Sequence, residues 1–166
     1  MSKITLQGNP VNTRGTLPAI GVVAPDFNLV KTDLSEVDLK SFGAKKKVLN
    51  IFPSLDTPTC AMSVRRFNKE ATDLNNVVVL NISADLPFAQ KRFCGSEGIN
   101  NSETLSSFRS TFAKDYNLDI LDSPLAGLCS RVVLILNENN KVIYSEQVSE
   151  ITNGPNYEKA LEALNN

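Results

Sequence analysis

The run Val48-Leu49-Asn50-Ile51-Phe52 is apolar at almost every position, stops at Pro53, and is followed from Cys60 by Val64, Phe67, Ala71 and Leu74 at steps of four, three, four and three. A continuous apolar run of this length reads as a strand buried on both faces, which needs cover from both sides. The stepped residues that follow read as a helix with one buried stripe. Val77 to Ile82 is a second β-rich apolar run. Strand, helix and strand in that order predict a βαβ unit.

The remaining segments extend this unit. Helical candidates lie around Pro87 to Phe93 and Thr104 to Tyr116. Val132 to Leu136 and Val142 to Tyr144 bracket the polar turn Asn137 to Lys141 and predict an antiparallel hairpin. A last amphipathic helix starts near Pro155 and carries Tyr157, Ala160, Leu161 and Leu164. Toward the N-terminus, residues 1–20 hold two short β-like pieces around Gly8-Asn9-Pro10, a hairpin extension, before an apolar segment from Val22 to Val30. A βαβ unit followed by a ββα unit is the thioredoxin-like α/β arrangement, a central mixed sheet flanked by helices. No repeat or linker divides the chain, so residues 1–166 are read as one domain.

Composition bounds the chemistry. With 42% apolar and 21% charged residues the chain is expected to bury roughly two thirds of its unfolded surface in one core. Its 17 basic and 18 acidic residues leave a net charge of −1, so no field would draw in nucleic acid or an anionic membrane. Lys45-Lys46-Lys47 reads as a solvated strand entry. The first fifteen residues lack the apolar stretch of a signal peptide, and no run approaches the ~20 residues that span a bilayer. The default expectation is the cytoplasm, where a disulfide is usually transient and catalytic. Histidine is absent. That removes Ser-His-Asp and Cys-His nucleophiles, His-ligated zinc and the usual proton shuttle. Three scattered cysteines make a poor metal site, so neither metal nor cofactor is expected.

Any nucleophile must then be activated by local electrostatics, and Phe52 to Cys60 offers the place. It spans a strand-to-helix loop, where sheet ends commonly present ligand sites. Thr57 reads as N-cap and Pro58 as the first helical residue, which puts Cys60 in the first turn. There the free N–H groups and the helix dipole lower a thiol pKa. A fall from about 8.5 to about 6 raises the thiolate fraction at pH 7 about thirty-fold. The lost basicity takes back roughly ten- to eighteen-fold. A fast nucleophile therefore also needs donors that stabilise the transition state. Three candidates are the Thr57 hydroxyl, the Cys60 N–H and the Arg131 guanidinium at the head of the buried-looking run Val132 to Leu136. Arg131 reads equally well as a solvated strand end, and N-capping alone accounts for Thr57.

The pattern P-x-x-x-T-x-x-C, here Pro53, Thr57 and Cys60, is similar to the active-site signature of peroxiredoxins. More narrowly, LQGNPV, VLNIFPSLDTPTC, SADLPFAQKRFC and EITNGPNYEKAL, in this order over nearly the whole length, resemble the bacterial thiol peroxidase subfamily of atypical 2-Cys peroxiredoxins. The resemblance implies that Cys60 is the peroxidatic and Cys94 the resolving cysteine, joined in turn by an intrachain disulfide. It implies that Thr57 and Arg131 hold thiolate and peroxide, and that Pro53 shields the sulfur from water. Members typically form homodimers, prefer alkyl hydroperoxides and are re-reduced by thioredoxin. Leu86-Pro87-Phe88 and Phe93 read as an apolar collar for such substrates or as ordinary core.

A Cys60–Cys94 bond would close a loop worth roughly 4 kcal/mol in the chain-entropy model. If the Cα atoms lie more than about 7 Å apart in the reduced form, closure requires local unfolding of the Cys94 segment. Gly95, Gly98 and Asn100-Asn101-Ser102 suit such unwinding. Cys129, two residues before Arg131, shares a strand face with it if the alternation holds, and reads as a small buried hydrophobe. Two rivals stand. Cys60 and Arg66 satisfy the bare C-x5-R pattern of cysteine phosphatases, but the segment is helical and Arg66 points about 240° away. A thioredoxin-like redox sensor or binding module without turnover is the other. The peroxidase reading requires a sulfur that a peroxide can reach.

Overall fold

A computed structural model of the chain describes residues 3–71, 74–99 and 101–165. Nine strands and four α-helices alternate along them. The hairpin β1 (Lys3–Leu6) and β2 (Asn9–Asn12) forms its own small sheet. Gln7 and Gly8 join the strands with φ of 51° and 82°, the positive pair that a tight hairpin turn of matching twist demands. The main sheet contains β3 (Leu29–Lys31), β4 (Glu36–Val37), β5 (Lys46–Ile51), β6 (Val77–Ser83), β7 (Glu103–Ser106), β8 (Val132–Leu136) and β9 (Val142–Gln147). Their order is β4-β3-β7-β6-β5-β8-β9. β5, β6 and β7 run parallel, and the outer pairings are antiparallel, so the sheet is mixed as expected.

Alternation along the strands feeds two cores. Leu49, Leu80, Leu134 and Leu136 join Phe112, Tyr116 and Leu118 on one face. Val48, Val79, Val133 and Ile135 meet Phe67 and Ala71 from α1 (Pro58–Glu70) and its end, and Ala160 and Leu164 from α4 (Tyr157–Leu164), on the other. The central strands are thus covered on both sides, which is why Val48 to Phe52 reads as an almost continuous apolar run. Asn50 is the exception. Paired in register with Asn81, it donates to that side chain at 3.0 Å and to Ser63 Oγ at 3.2 Å, so α1 is pinned to the sheet by a buried polar link.

Several expectations are corrected. Thr104 to Tyr116 is not one helix: Glu103–Ser106 is β7, and only Phe112–Asp115 forms the short α3. Within Val22 to Val30 the strand proper starts at Leu29, and Val23 makes a single bridge to Lys141. Pro155 precedes the last helix rather than opening it, because Asn156 is the N-cap and accepts the Lys159 N–H at 3.1 Å. Lys47 is not solvated. It is buried, and its ammonium donates to the carbonyls of Gly43 (3.1 Å) and Lys45 (3.0 Å). Among the described residues no helix is long and apolar enough to cross a membrane.

Candidate active site

β5 ends at Ile51, and Phe52 and Pro53 remain buried where the chain turns toward α1. Asp85, just past the end of β6, fixes this turn. Its carboxylate accepts the Ser54 hydroxyl at 2.7 Å, the Leu55 N–H at 2.8 Å and the Ser83 hydroxyl at 2.6 Å. Ser54 in turn offers its carbonyl to the Thr57 hydroxyl (2.9 Å) and N–H (3.3 Å). Thr57 is the N-cap by backbone conformation and Pro58 opens the helix, as expected. The Thr57 hydroxyl, however, makes no cap bond. Its proton is given to Ser54, which leaves the oxygen free as an acceptor toward a hydroperoxide O–H.

Cys60 is the third residue of α1. Its carbonyl accepts the Ser63 hydroxyl at 2.8 Å, and Ser63 receives the Asn50 amide, so the first turn is tied to the sheet centre. The side chain lies among Phe52, Leu55, Val64 and Ile99, with Phe93 and Cys94 packed against the same cluster. Contrary to the reading of a reachable sulfur, Cys60 is 0% exposed. All three cysteines are free thiols. Cys94 lies on α2 (Pro87–Glu97), half-buried, its Sγ 3.2 Å from Thr104 Oγ1. Burial pushes its thiol pKa up, against the effect of the hydrogen bond with Thr104.

Arg131 immediately precedes β8 and is 3% exposed, which excludes the solvated strand end. Its Nε donates to the Ile151 carbonyl at 2.9 Å, while Nη1 is buried with no hydrogen-bond partner among the described residues. The Tyr157 phenol is pushed up by burial, pulled down by Arg131 and Arg66, and pushed up by Cys60. Its hydroxyl is likewise buried without a partner. Arg66 sits 4.5 Å above the Tyr157 ring and bonds Glu70, and Cys60 through Arg66 is helical throughout, so the phosphatase pattern has no loop to serve it.

Cys129 belongs to the opposite core with Val132 and Leu134, and burial pushes its thiol to about 12. It forms a bridge with Asp119 ahead of β8, so the two-residue alternation with Arg131 does not apply. Of the expected collar, Phe93 packs beside Cys60, whereas Leu86 and Phe88 are 52% and 69% exposed. Asn100, part of the run expected to unwind, lies outside the described residues. Among the described residues no group of three or more His, Cys, Asp or Glu side chains could hold a metal ion. A cleft of about 620 Å³ lined by Asp26, Glu36, Asp38, Arg109 and Asp115 contains none of the candidate residues. Asp85 and Tyr157 escaped the sequence reading. The parallel register that sets Ile51 beside Ile82 was the available signal for Asp85, since it brings the ends of β5 and β6 to one edge.

A mixed sheet with a buried cysteine in the first turn of the helix after its central strand defines a thiol-based redox enzyme of thioredoxin-like fold. The redoxin family model matches residues 19–161. A thiol peroxidase of Corynebacterium glutamicum is 52% identical over 165 residues, 99% of this chain and 100% of the relative. A peroxiredoxin-like protein from Aquifex aeolicus superposes with a TM-score of 0.94 at 36% identity, over 99% of this chain and 96% of that one. The fold is also that of a thiol peroxidase from Chromobacterium violaceum, TM-score 0.88 at 23% identity over 98% and 95% of the two chains. The chain belongs to the redoxin family and, within it, to the thiol peroxidases. It is an enzyme that reduces peroxides by thiol chemistry, which removes the reading as a sensor without turnover.

Proposed function

We propose that Cys60 is the peroxidatic and Cys94 the resolving cysteine. The Cys60 thiolate attacks the terminal oxygen of a hydroperoxide, the O–O bond breaks, and the alkoxide takes up a proton and leaves as the alcohol. Cys60 is left as a sulfenic acid. The Cys94 thiol then attacks its sulfur, water departs, and the Cys60–Cys94 disulfide forms within the chain. A dithiol of thioredoxin type exchanges with that disulfide and restores both thiols. Arg131 Nη1 is the donor to the peroxide oxygens, Thr57 Oγ1 the acceptor of the peroxide proton, and Pro53 covers the sulfur from water. The observation that carries this reading is that Cys94, not Cys129, packs on the cluster enclosing Cys60.

Because Cys60 is fully covered, a peroxide reaches it only when the side chains over it part. Phe93, Cys94 and Ile99 are among them and belong to the end of α2 and the residues after it. Opening that end exposes the peroxidatic sulfur and frees the resolving one. The apolar surroundings favour alkyl hydroperoxides alongside hydrogen peroxide. We also infer a homodimer, supported by the exposed side chains of Leu86, Phe88 and Phe108, and a cytoplasmic location.

Turnover of cumene hydroperoxide coupled to thioredoxin and its reductase tests the assignment. Cys60→Ser is expected to abolish activity, and Cys94→Ser to permit one fast oxidation and then stall. Full activity in Cys60→Ser refutes the nucleophile. Sustained turnover in Cys94→Ser refutes the resolving role.

A further inference from the structure

The two end segments that mark this subfamily close on each other. The Thr5 N–H donates to Ser149 O at 2.7 Å and Thr5 O accepts the Ile151 N–H at 2.9 Å, so β1 pairs with the segment after β9. Glu150 stands at the junction. One carboxylate oxygen accepts the Thr5 hydroxyl (3.0 Å) and the Gly8 N–H (2.9 Å). The other accepts the Gln7 N–H (3.1 Å) and the Thr152 N–H (3.0 Å) and hydroxyl (2.8 Å). These donors hold its acid at about 2. Beneath, Ile4 and Val11 of the hairpin pack on Ile151 and Ile120.

The same segment reaches the site from its other side. Ile151 O accepts Arg131 Nε at 2.9 Å, the Val148 N–H donates to Arg131 O at 3.0 Å, and Thr152 O accepts the Thr59 hydroxyl at 2.9 Å. Thr59 adjoins Cys60. Residues 148–152 therefore hold both the cation and the first turn of α1, and Glu150 binds them to the hairpin.

We infer that Glu150 is a positioning residue for peroxide reduction: by clasping the N-terminal hairpin to residues 148–152 it sets the Arg131 guanidinium relative to Cys60. This rests on the proposed role of Arg131 as donor to the peroxide. A guanidinium bonded through Nε pivots about that bond, so the place of Nη1 follows the Ile151 carbonyl, and a displacement of about 1 Å costs on the order of a hundredfold in rate. In Glu150→Gln at least two donors face an NH₂ group whichever way the amide turns. The clasp loosens while the charge and volume at Cys60 are unchanged.

The test compares wild type, Glu150→Gln, Arg131→Met and the double variant. Oxidation of Cys60 by cumene hydroperoxide and its alkylation by iodoacetamide are each followed by rapid quench and peptide mass spectrometry. Both reactions need an ionised, uncovered sulfur, so their ratio isolates peroxide polarisation. The ratio is expected to fall about tenfold in Glu150→Gln, about a hundredfold in Arg131→Met, and no further in the double variant. Thr5→Val, which removes one donor, should move it the same way by less, and stands in if Glu150→Gln does not fold. An unchanged ratio in Glu150→Gln or, in its place, Thr5→Val, or a loss that multiplies with that of Arg131→Met, overturns the inference. An unchanged ratio in Arg131→Met alone instead marks the donor role itself as wrong.

Discussion

A guanidinium held 3% exposed with one nitrogen bonded and another bare is destabilising by ordinary standards, since an unsatisfied buried donor costs about 1–3 kcal/mol. Replacing Arg131 by methionine removes that bare donor but strands the Ile151 carbonyl it also serves. The two effects oppose each other, so urea unfolding of Arg131→Met should give a stability within about 1 kcal/mol of wild type. Peroxide oxidation in the same protein should drop about a hundredfold. Parallel losses of both would make Arg131 a structural residue. Pro53, Thr57 and Cys60 were legible because a strand end, an N-cap and a first helical turn are all local features. Asp85 and Tyr157 were not: Asp85 acquires its place from strand register, and Tyr157, legible as one residue of an amphipathic stripe, comes near the other candidates only through the docking of α4.

At the scale of elements, the proposed pairing of Cys60 with Cys94 makes α2 the segment that gives way, and its anchoring is thin. Only Pro87 and Gln90 are buried along it. Gln90 ties its first half to Leu105 O at 2.9 Å, whereas its last turn is held to α1 by Glu97, which takes a two-pronged bond from Arg65 at 2.7 and 2.8 Å. Breaking this exposed latch by Glu97→Gln should speed disulfide formation after a peroxide pulse by about two- to fivefold and lower the yield of Cys60 sulfinic acid, read by mass spectrometry. Slower closure would contradict the latch. Hydrogen bonding to Arg65 depresses the Glu97 carboxyl, so the latch is complete above the ordinary carboxylate pKa and is lost as pH falls through the depressed value. Acid lowers the Cys94 thiolate equally in both proteins, so the rate of closure in Glu97→Gln relative to wild type should fall toward one as the latch is lost. The neighbouring misreading has a physical source. Leu105, Phe108, Phe112 and Tyr116 step by three, four and four, which mimics a helix, but Leu105 is buried in β7, Phe108 is 44% exposed, and only the last two flank a helical turn. A four-residue strand is too short to show its own period.

For the whole molecule, a mixed sheet with flanking helices followed from apolar runs and helical steps, because burial on both faces writes itself into composition, whereas the order of the strands and the place of β7 did not. What the chain could not show was depth. The first turn of α1 places Cys60 at a helix entrance, but the packing of Phe52, Leu55, Val64 and Ile99 then covers it, so the proposed role of Cys60 requires that cover to open. Nor did the hairpin declare that it braces residues beside the site from the other end of the sequence. Non-local contacts of this kind leave no mark in any short window. Everything functional converges on which sulfurs meet. Reduced protein treated with one equivalent of cumene hydroperoxide, trapped with iodoacetamide and mapped by peptide mass spectrometry should show Cys60 joined to Cys94 and Cys129 alkylated only after unfolding. A disulfide containing Cys129, or an oxidised Cys94 with Cys60 still a thiol, would contradict the account.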